Sequence, residues 1–198
     1  MTLEQAVSFG VFAAVAAGTP GPSNALLTAT GANVGILRGL PALLGVALGM
    51  GVMLFVVGFG LGSLMLDHPL VMTAIRWVGA AVLCWFAWKI ATADQSAGAA
   101  DPRPIGFGQA AVFQWVNPKS WLVCASAAAT FLDQGSGGAL VQSASLALVF
   151  VLVCLPACLP WLAFGALLQR LLRSKRARRS FNYAMGALLA VSVVLFVR

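Results

Sequence analysis

Ala17-Gly18-Thr19-Pro20-Gly21-Pro22-Ser23-Asn24 interrupts an apolar run that begins at Leu3 or Phe9 and continues to about Val34. Proline has no N–H to donate and pushes the residue before it out of helical geometry, so Pro20 and Pro22 break the helix around them. A second stretch of the same kind, Gln114-Trp115-Val116-Asn117-Pro118-Lys119-Ser120-Trp121, interrupts a later apolar run. The chain around both is 61% apolar and 9% charged, with a mean hydropathy of +0.94. An ordinary soluble domain is about 25% charged. So few charges cannot cover a water-facing surface, and lipid must cover most of the outside. At about 20 residues per span, the chain reads as an all-α integral membrane protein with about six transmembrane helices.

The spans fall at the broken run ending near Val34 and at 41–66, 69–91, 108–132, 139–168 and 181–197. The fifth contains Pro156 and Pro160 and should be kinked or tilted. One connection has linker character, Thr92-Ala-Asp-Gln-Ser-Ala-Gly-Ala-Ala-Asp-Pro-Arg-Pro104. The expected organisation is therefore a single transmembrane domain over 1–198. A first repeat covers about 3–91, a cytoplasmic linker about 92–107, and a second repeat about 108–198. Glu4 but no Lys or Arg precedes the first apolar run; a signal peptide needs a basic leader, so the first helix is expected to remain.

The net charge of +7 is concentrated: six of the twelve Lys and Arg residues lie in Gln169-Arg-Leu-Leu-Arg-Ser-Lys-Arg-Ala-Arg-Arg179. Beside membrane spans, such a run marks the cytoplasmic side and suits anionic lipid headgroups; nucleic acid is the poorer reading. With six spans, the loops after helices one, three and five share a side. That side carries Arg38, Lys89, Arg103, Arg170, Arg173, Lys175, Arg176, Arg178 and Arg179, against Arg76 and Arg198 opposite. The bias places these loops in the cytoplasm and both termini outside it.

Little else suggests chemistry. Cys84, Cys124, Cys154 and Cys158 sit inside apolar runs and read as small buried hydrophobes. The only histidine, His68, lies beside Asp67 in an apparent loop, so neither a metal nor a cofactor is expected. The spans offer no paired carboxylates and no nucleophile with a neighbouring base, which argues against an enzyme. Gly31, Gly35 and Gly39 recur every four residues, as do Gly45 and Gly49, and Gly58 and Gly62. Small residues at that spacing let helix backbones approach closely in lipid. Gly58-Phe-Gly-Leu-Gly62 lacks the spacing and the downstream acid of a dinucleotide site.

The two breaks are related by a shift of 98 residues, which superimposes Pro20 on Pro118, Phe9 on Phe107, Gly10 on Gly108 and Ala13 on Ala111. With three spans per half, the copies must be inverted in the membrane, as in many transporters. Eleven residues of helix separate each phenylalanine from its proline, about 16 Å, which puts the breaks near mid-bilayer. The prolines leave the carbonyls of Ala16, Gly18 and Gln114 without helical partners and unwind Thr19, Gly21 and Asn117. Asn117 before Pro118 is a good helix start, as is Thr19 before Pro20 or Gly21 before Pro22. Helix N-termini attract carboxylate, and the freed carbonyls are expected to attract ammonium. The candidate substrate-binding residues are therefore Thr19, Pro20, Gly21, Pro22, Ser23, Asn24, Gln114, Asn117, Pro118 and Lys119. Lys119 is the only cation placed deep in a span; it either faces the cavity as a carboxylate ligand or gate charge, or snorkels to an interface. Asn24, Gln114 and Ser23 either line the cavity or bond helix to helix.

These motifs resemble those of the LysE/RhtB amino-acid exporters of bacterial inner membranes. The matching elements are Thr19-Pro-Gly-Pro22, the glycine series Gly31, Gly35, Gly39, Gly45 and Gly49, and Asn117-Pro-Lys119 after the central loop. Phe131 stands where the family often has a Pro-Gln-Phe-like ending, and the resemblance covers nearly the whole chain. It implies efflux of amino acids or related metabolites, driven by the proton gradient. One departure is that Glu4, Asp67, Asp94, Asp101 and Asp133 all lie at span ends or in loops. A proton carrier would then be an edge acid such as Asp67 or Asp133, or coupling works differently. A cavity that leans positive favours neutral amino acids or small zwitterions over cationic cargo. The competing readings are a passive small-solute channel and an efflux permease for another small metabolite or cation. Glycine-rich faces also allow a homodimer.

Overall fold

The computed structural model describes residues 1–61, 69–92, 105–132, 138–171 and 174–197. Among them the chain is entirely helical. Helix α1 (Leu3–Gly18) opens with a reciprocal cap: the Gln5 N–H donates to Thr2 Oγ1 at 3.2 Å, and the Thr2 N–H donates to Gln5 Oε1 at 3.0 Å. After the first break come α2 (Pro22–Val56) and a π-helical turn, Val57–Leu61. Then follow α3 (Pro69–Ala91), α4 (Phe107–Val116), α5 (Pro118–Phe131), α6 (Ala139–Leu171) and α7 (Lys175–Val197). Asn117 alone separates α4 from α5.

The helical break expected just before Pro41 is not there: α2 runs through Pro41 and is divided instead at Gly35, with φ 79° and ψ −178°. Only glycine reaches that geometry without a steric penalty, so Gly35 kinks the helix, a role its packing-type spacing did not signal. The last helix begins earlier than Phe181, at Lys175, because Lys and Arg are good helix formers. Helix α6 runs continuously through Pro156 and Pro160. The stretch of linker character, with Asp94, Asp101 and Arg103, lies outside the described residues except for Thr92, as do Asp67, His68, Asp133, Arg173 and Arg198.

Helix α2 is the hub: it packs most extensively on α6 and next on α4, while α3 pairs with α7 and α1 leans on α6. The glycines explain the closeness. A Cβ on Gly31 would lie 2.1 Å from the Leu162 carbonyl oxygen, and one on Gly165 would lie 2.0 Å from that of Thr28. Gly45 and Gly49 admit α4 in the same way, at the Phe107 carbonyl (2.3 Å) and Ala111 (2.8 Å). Distribution of polarity is inside-out for a soluble protein. Leu37 is 81% exposed and Trp88 68%, whereas Gln114 is fully buried. The segments Pro22–Gly60 and Ala139–Leu168 are long and apolar enough to cross a membrane. That pattern suits a protein whose solvent is lipid.

Candidate functional site

At the first break, Thr19 and Gly21 are extended (φ −66°, ψ 135° and φ −178°, ψ −178°). Pro22 then takes the first helical position of α2 with Gly21 as its N-cap, which settles the two starts open in sequence. At the second break, Asn117 is extended (φ −87°, ψ 115°) and Pro118 takes the first position of α5. The two N-termini differ. Asn117 Oδ1 accepts the Lys119 N–H at 3.1 Å, and its carbonyl accepts the Ser120 N–H at 3.0 Å. Gly21 brings no side chain to the first amides of α2, leaving that N-terminus the more open to an anion.

Side chains tie the breaks together. Asn117 Nδ2 donates to Ser23 Oγ at 2.9 Å, and Ser23 Oγ donates to Gln114 Oε1 at 2.9 Å. Ser120 Oγ donates to the same oxygen at 3.1 Å, while Gln114 Nε2 is held by the Ala110 carbonyl at 3.0 Å. Lys119 reaches across and donates from Nζ to the Thr19 carbonyl. Its side chain fills the groove over Gly21, where a Cβ would lie 2.8 Å from Lys119 Cδ. Of the alternatives for Lys119, the structure takes the inward one: its ammonium sits between the two breaks.

One cavity of about 30 Å³ lies here, lined by Gly21, Ser23, Asn24, Gln114, Asn117 and Lys119 among others. On that scale one water takes about 10–15 Å³, so the cavity holds two or three. Thr19 joins through its carbonyl only. Pro20 is exposed, Pro22 buried and Pro118 half-buried; none of these three lines the cavity, and they act by shaping backbone.

Two expectations need correction. The freed carbonyls were to be open to ammonium, yet buried carbonyls must find donors, and most have. Gly18 O accepts from Trp161 Nε1 at 3.1 Å, and Ala17 O and Thr19 O accept from Asn24 Nδ2 at 3.0 and 2.7 Å. Gln114 O accepts from the Asn117 N–H at 3.3 Å, and Trp115 O from Trp121 Nε1 at 2.7 Å. Three of the cysteines are buried as expected, Cys84 is the exception, and two of the buried ones also belong to the site. Cys154 and Cys158 line the cavity with their sulfurs 3.6 Å apart, and Cys158 Sγ lies 3.7 Å from Asn24 Oδ1 and 3.6 Å from the Ala17 carbonyl. Cys84 is exposed, and only Cys124 is plainly buried away from the site. Their four-residue spacing put Cys154 and Cys158 on one helix face, but nothing in sequence said that face meets Asn24. Ser120, Val46, Met50, Val123 and Phe150 also line the cavity and were missed; Ser120 alone, beside Lys119, had a signal.

The LysE type translocator family model matches residues 14–198. A protein of Salmonella typhimurium named "Cysteine/O-acetylserine efflux protein" is 33% identical over 193 residues, with 94% of each chain covered. A protein of Escherichia coli with the same name is 31% identical over 189 residues, again with 94% of each covered. No solved structure gives a significant match.

Proposed function

This chain belongs to the LysE type translocator family, and on that premise we propose that it exports small neutral amino acids from the bacterial cytoplasm through the cavity between its two breaks. Membership makes it a membrane transporter of the amino-acid efflux class and not an enzyme. The relatives' names point to cysteine and O-acetylserine, zwitterions built on a three-carbon amino-acid skeleton that carry no net charge. The observation that carries the site is Lys119, whose ammonium bridges the second break to the Thr19 carbonyl beside the open N-terminus of α2. A substrate carboxylate would take Lys119 and the first amides of α2. Its ammonium would take the oxygens of Gln114 and Asn24, and its side chain would lie against Cys154, Cys158 and Met50.

A cavity with room for two or three waters does not hold an amino acid, so substrate entry requires the breaks to part. Each half runs as a broken helix followed by two further spans, which supports inverted repeats rocking about the site in alternating access. The loop charges support cytoplasmic loops after spans one, three and five, with both termini outside. If a carboxylate carries a coupled proton, Glu4, exposed at the start of α1, is the one acid among the described residues; otherwise coupling works differently.

Lys119→Ala is expected to abolish efflux while the protein still accumulates in the membrane. The measurement is cysteine release from cells loaded with cysteine-containing dipeptides. Release equal to that of the parent chain would remove Lys119 from the site. Uphill accumulation in inverted vesicles separates an exporter from a channel, which moves solute only downhill.

A further inference from the structure

We propose that the seam between α1 and α5 is the release path, and that Phe9, Phe12 and Phe131 form its closed gate, dividing the central cavity from an outer vestibule. A second cavity of about 360 Å³ is lined by Glu4, Gln5, Ser8, Thr130, Phe131 and Leu132. It lies where the start of α1 meets the end of α5. Along α1, Gln5 and Ser8 face this vestibule, Phe9 and Phe12 follow, and Ala16 and Ala17 line the central cavity. Steps of three and four residues keep these positions on one helix face. Along α5 the order runs the other way, with Ser120 and Val123 at the central cavity and Thr130 and Phe131 at the vestibule.

The rings between the two cavities touch in sequence. Phe131 meets Phe9 edge-on at 5.0 Å between centroids and Phe12 at 5.6 Å. Phe9 stacks on Phe12 at 6.0 Å and approaches Phe150 at 6.5 Å, and Phe150 is a wall of the central cavity. Aromatic contact is thus continuous from one cavity to the other, over the eight residue steps from Ser8 to Ala16, about 12 Å of helix. Little else closes the seam, because α1 and α5 share few contacts. The interfaces of α2 with α4 and α6 are different: backbones meet there through glycine, and parting them would forfeit close packing. Rings turn about side-chain bonds without that loss, which makes this seam the one suited to open. Beyond the gate, the Glu4 carboxylate and the Ser8 and Thr130 hydroxyls form a polar bay suited to the ammonium of a departing zwitterion.

The proposal takes its direction from the efflux reading, but its test needs no substrate. The cavity thiols are built-in reporters. In a Cys84→Ser, Cys124→Ser background, intact cells are treated with a charged, membrane-impermeant methanethiosulfonate. Phe131→Ala should label Cys154 and Cys158 about tenfold faster than the background, since two ring pairs leave the closed state. Phe12→Ala should act in the same sense if Phe131→Ala fails to accumulate. Phe131→Trp, which refills the seam, should not, and neither should Phe164→Ala on the exposed face of α6. Unchanged labelling in both alanine variants, an equal rise in Phe164→Ala, or a rise only in inverted vesicles would overturn the gate. If labelling rises as described but cells release no amino acid, the gate stands and the transport reading falls.

Discussion

Around Asn117 the backbone groups of the interrupted helix find their partners close by in sequence, and only the Asn117 and Gln114 side chains reach Ser23 of α2. Gln114 O takes the Asn117 N–H, Trp115 O takes the Trp121 indole, and Asn117 Oδ1 caps Lys119. Around residues 17–19 the carbonyls take one near partner, Asn24, and otherwise draw on other helices. Trp161 of α6 holds Gly18 O, Lys119 of α5 holds Thr19 O, Asn24 of α2 holds two carbonyls, and Cys158 of α6 approaches Ala17 O. The proline-based break is the same; the closure is not. A segment satisfied from within keeps its shape when neighbouring helices shift, whereas one satisfied from outside must exchange partners when they do. The first break is therefore the part poised to rearrange, and the second is the fixed reference that carries the cation.

The largest effect expected from that contrast is at the two asparagines. Asn24→Ala strips the Ala17 and Thr19 carbonyls of their amide donor, leaving Thr19 O to Lys119 and Ala17 O to the weak donor Cys158 Sγ, at a cost of about 1–3 kcal/mol for the under-satisfied Ala17 carbonyl. Efflux should fall about tenfold or more, since 1.4 kcal/mol is a factor of ten, and the melting temperature in detergent should drop by several degrees. Asn117→Ser keeps a good N-cap and loses only the amide's bond to Ser23, so stability should change by about 1 kcal/mol or less. Equal losses in the two variants would erase the distinction between the breaks.

A smaller effect separates shape from stability. Gly21→Ala places a Cβ 2.8 Å from Lys119 Cδ, and the flexible lysine must move off the Thr19 carbonyl. Efflux should fall several-fold, while the melting temperature drops only by the small amount expected of a poorer N-cap, about 1 kcal/mol or less. Gly18→Ala meets nothing within 4 Å and stands at the end of α1, where alanine favours helix by up to about 1 kcal/mol over glycine. It should leave efflux intact. Loss of efflux in both would show that the glycines of the first break serve backbone freedom and not the seat of Lys119.

What sequence reading could reach follows the same division. Proline acts on the residues beside it, so Thr19, Gly21 and Asn117 were legible as extended positions, and Pro22 and Pro118 as helix starts. The six apolar runs were legible because burial in lipid is a matter of composition. Gly35 was not, because its spacing matched the packing glycines and only the backbone distinguishes a kink with φ 79°. The closure of the first break was not legible either. Trp161 lies 143 residues from Gly18, and Cys158 lies 141 from Ala17; helical periodicity says which face a residue occupies but not which helix that face will meet. The shift relating the halves shows the same limit: Phe9 is fully buried in the aromatic seam, whereas its counterpart Phe107 is 46% exposed.

The finest discrimination lies with the two indoles, each of which satisfies one carbonyl at a break. Trp161→Phe and Trp121→Phe each remove a single neutral hydrogen bond, at about 0.5–1.5 kcal/mol, and keep most of the ring packing. Melting temperatures should therefore fall by similar small amounts. Transport should not follow suit. Trp121 is bonded within its own segment, six residues from Trp115, so its loss leaves the relation between helices unchanged. Trp161 ties α6 to the end of α1, and freeing Gly18 alters the equilibrium between closed and open forms of the first break. A two- to threefold change in efflux rate, about 0.5 kcal/mol on that equilibrium, is expected for Trp161→Phe alone. Matching rates in the two variants, measured at equal amounts of membrane protein, would mean that the carbonyls of the first break do not exchange partners during transport.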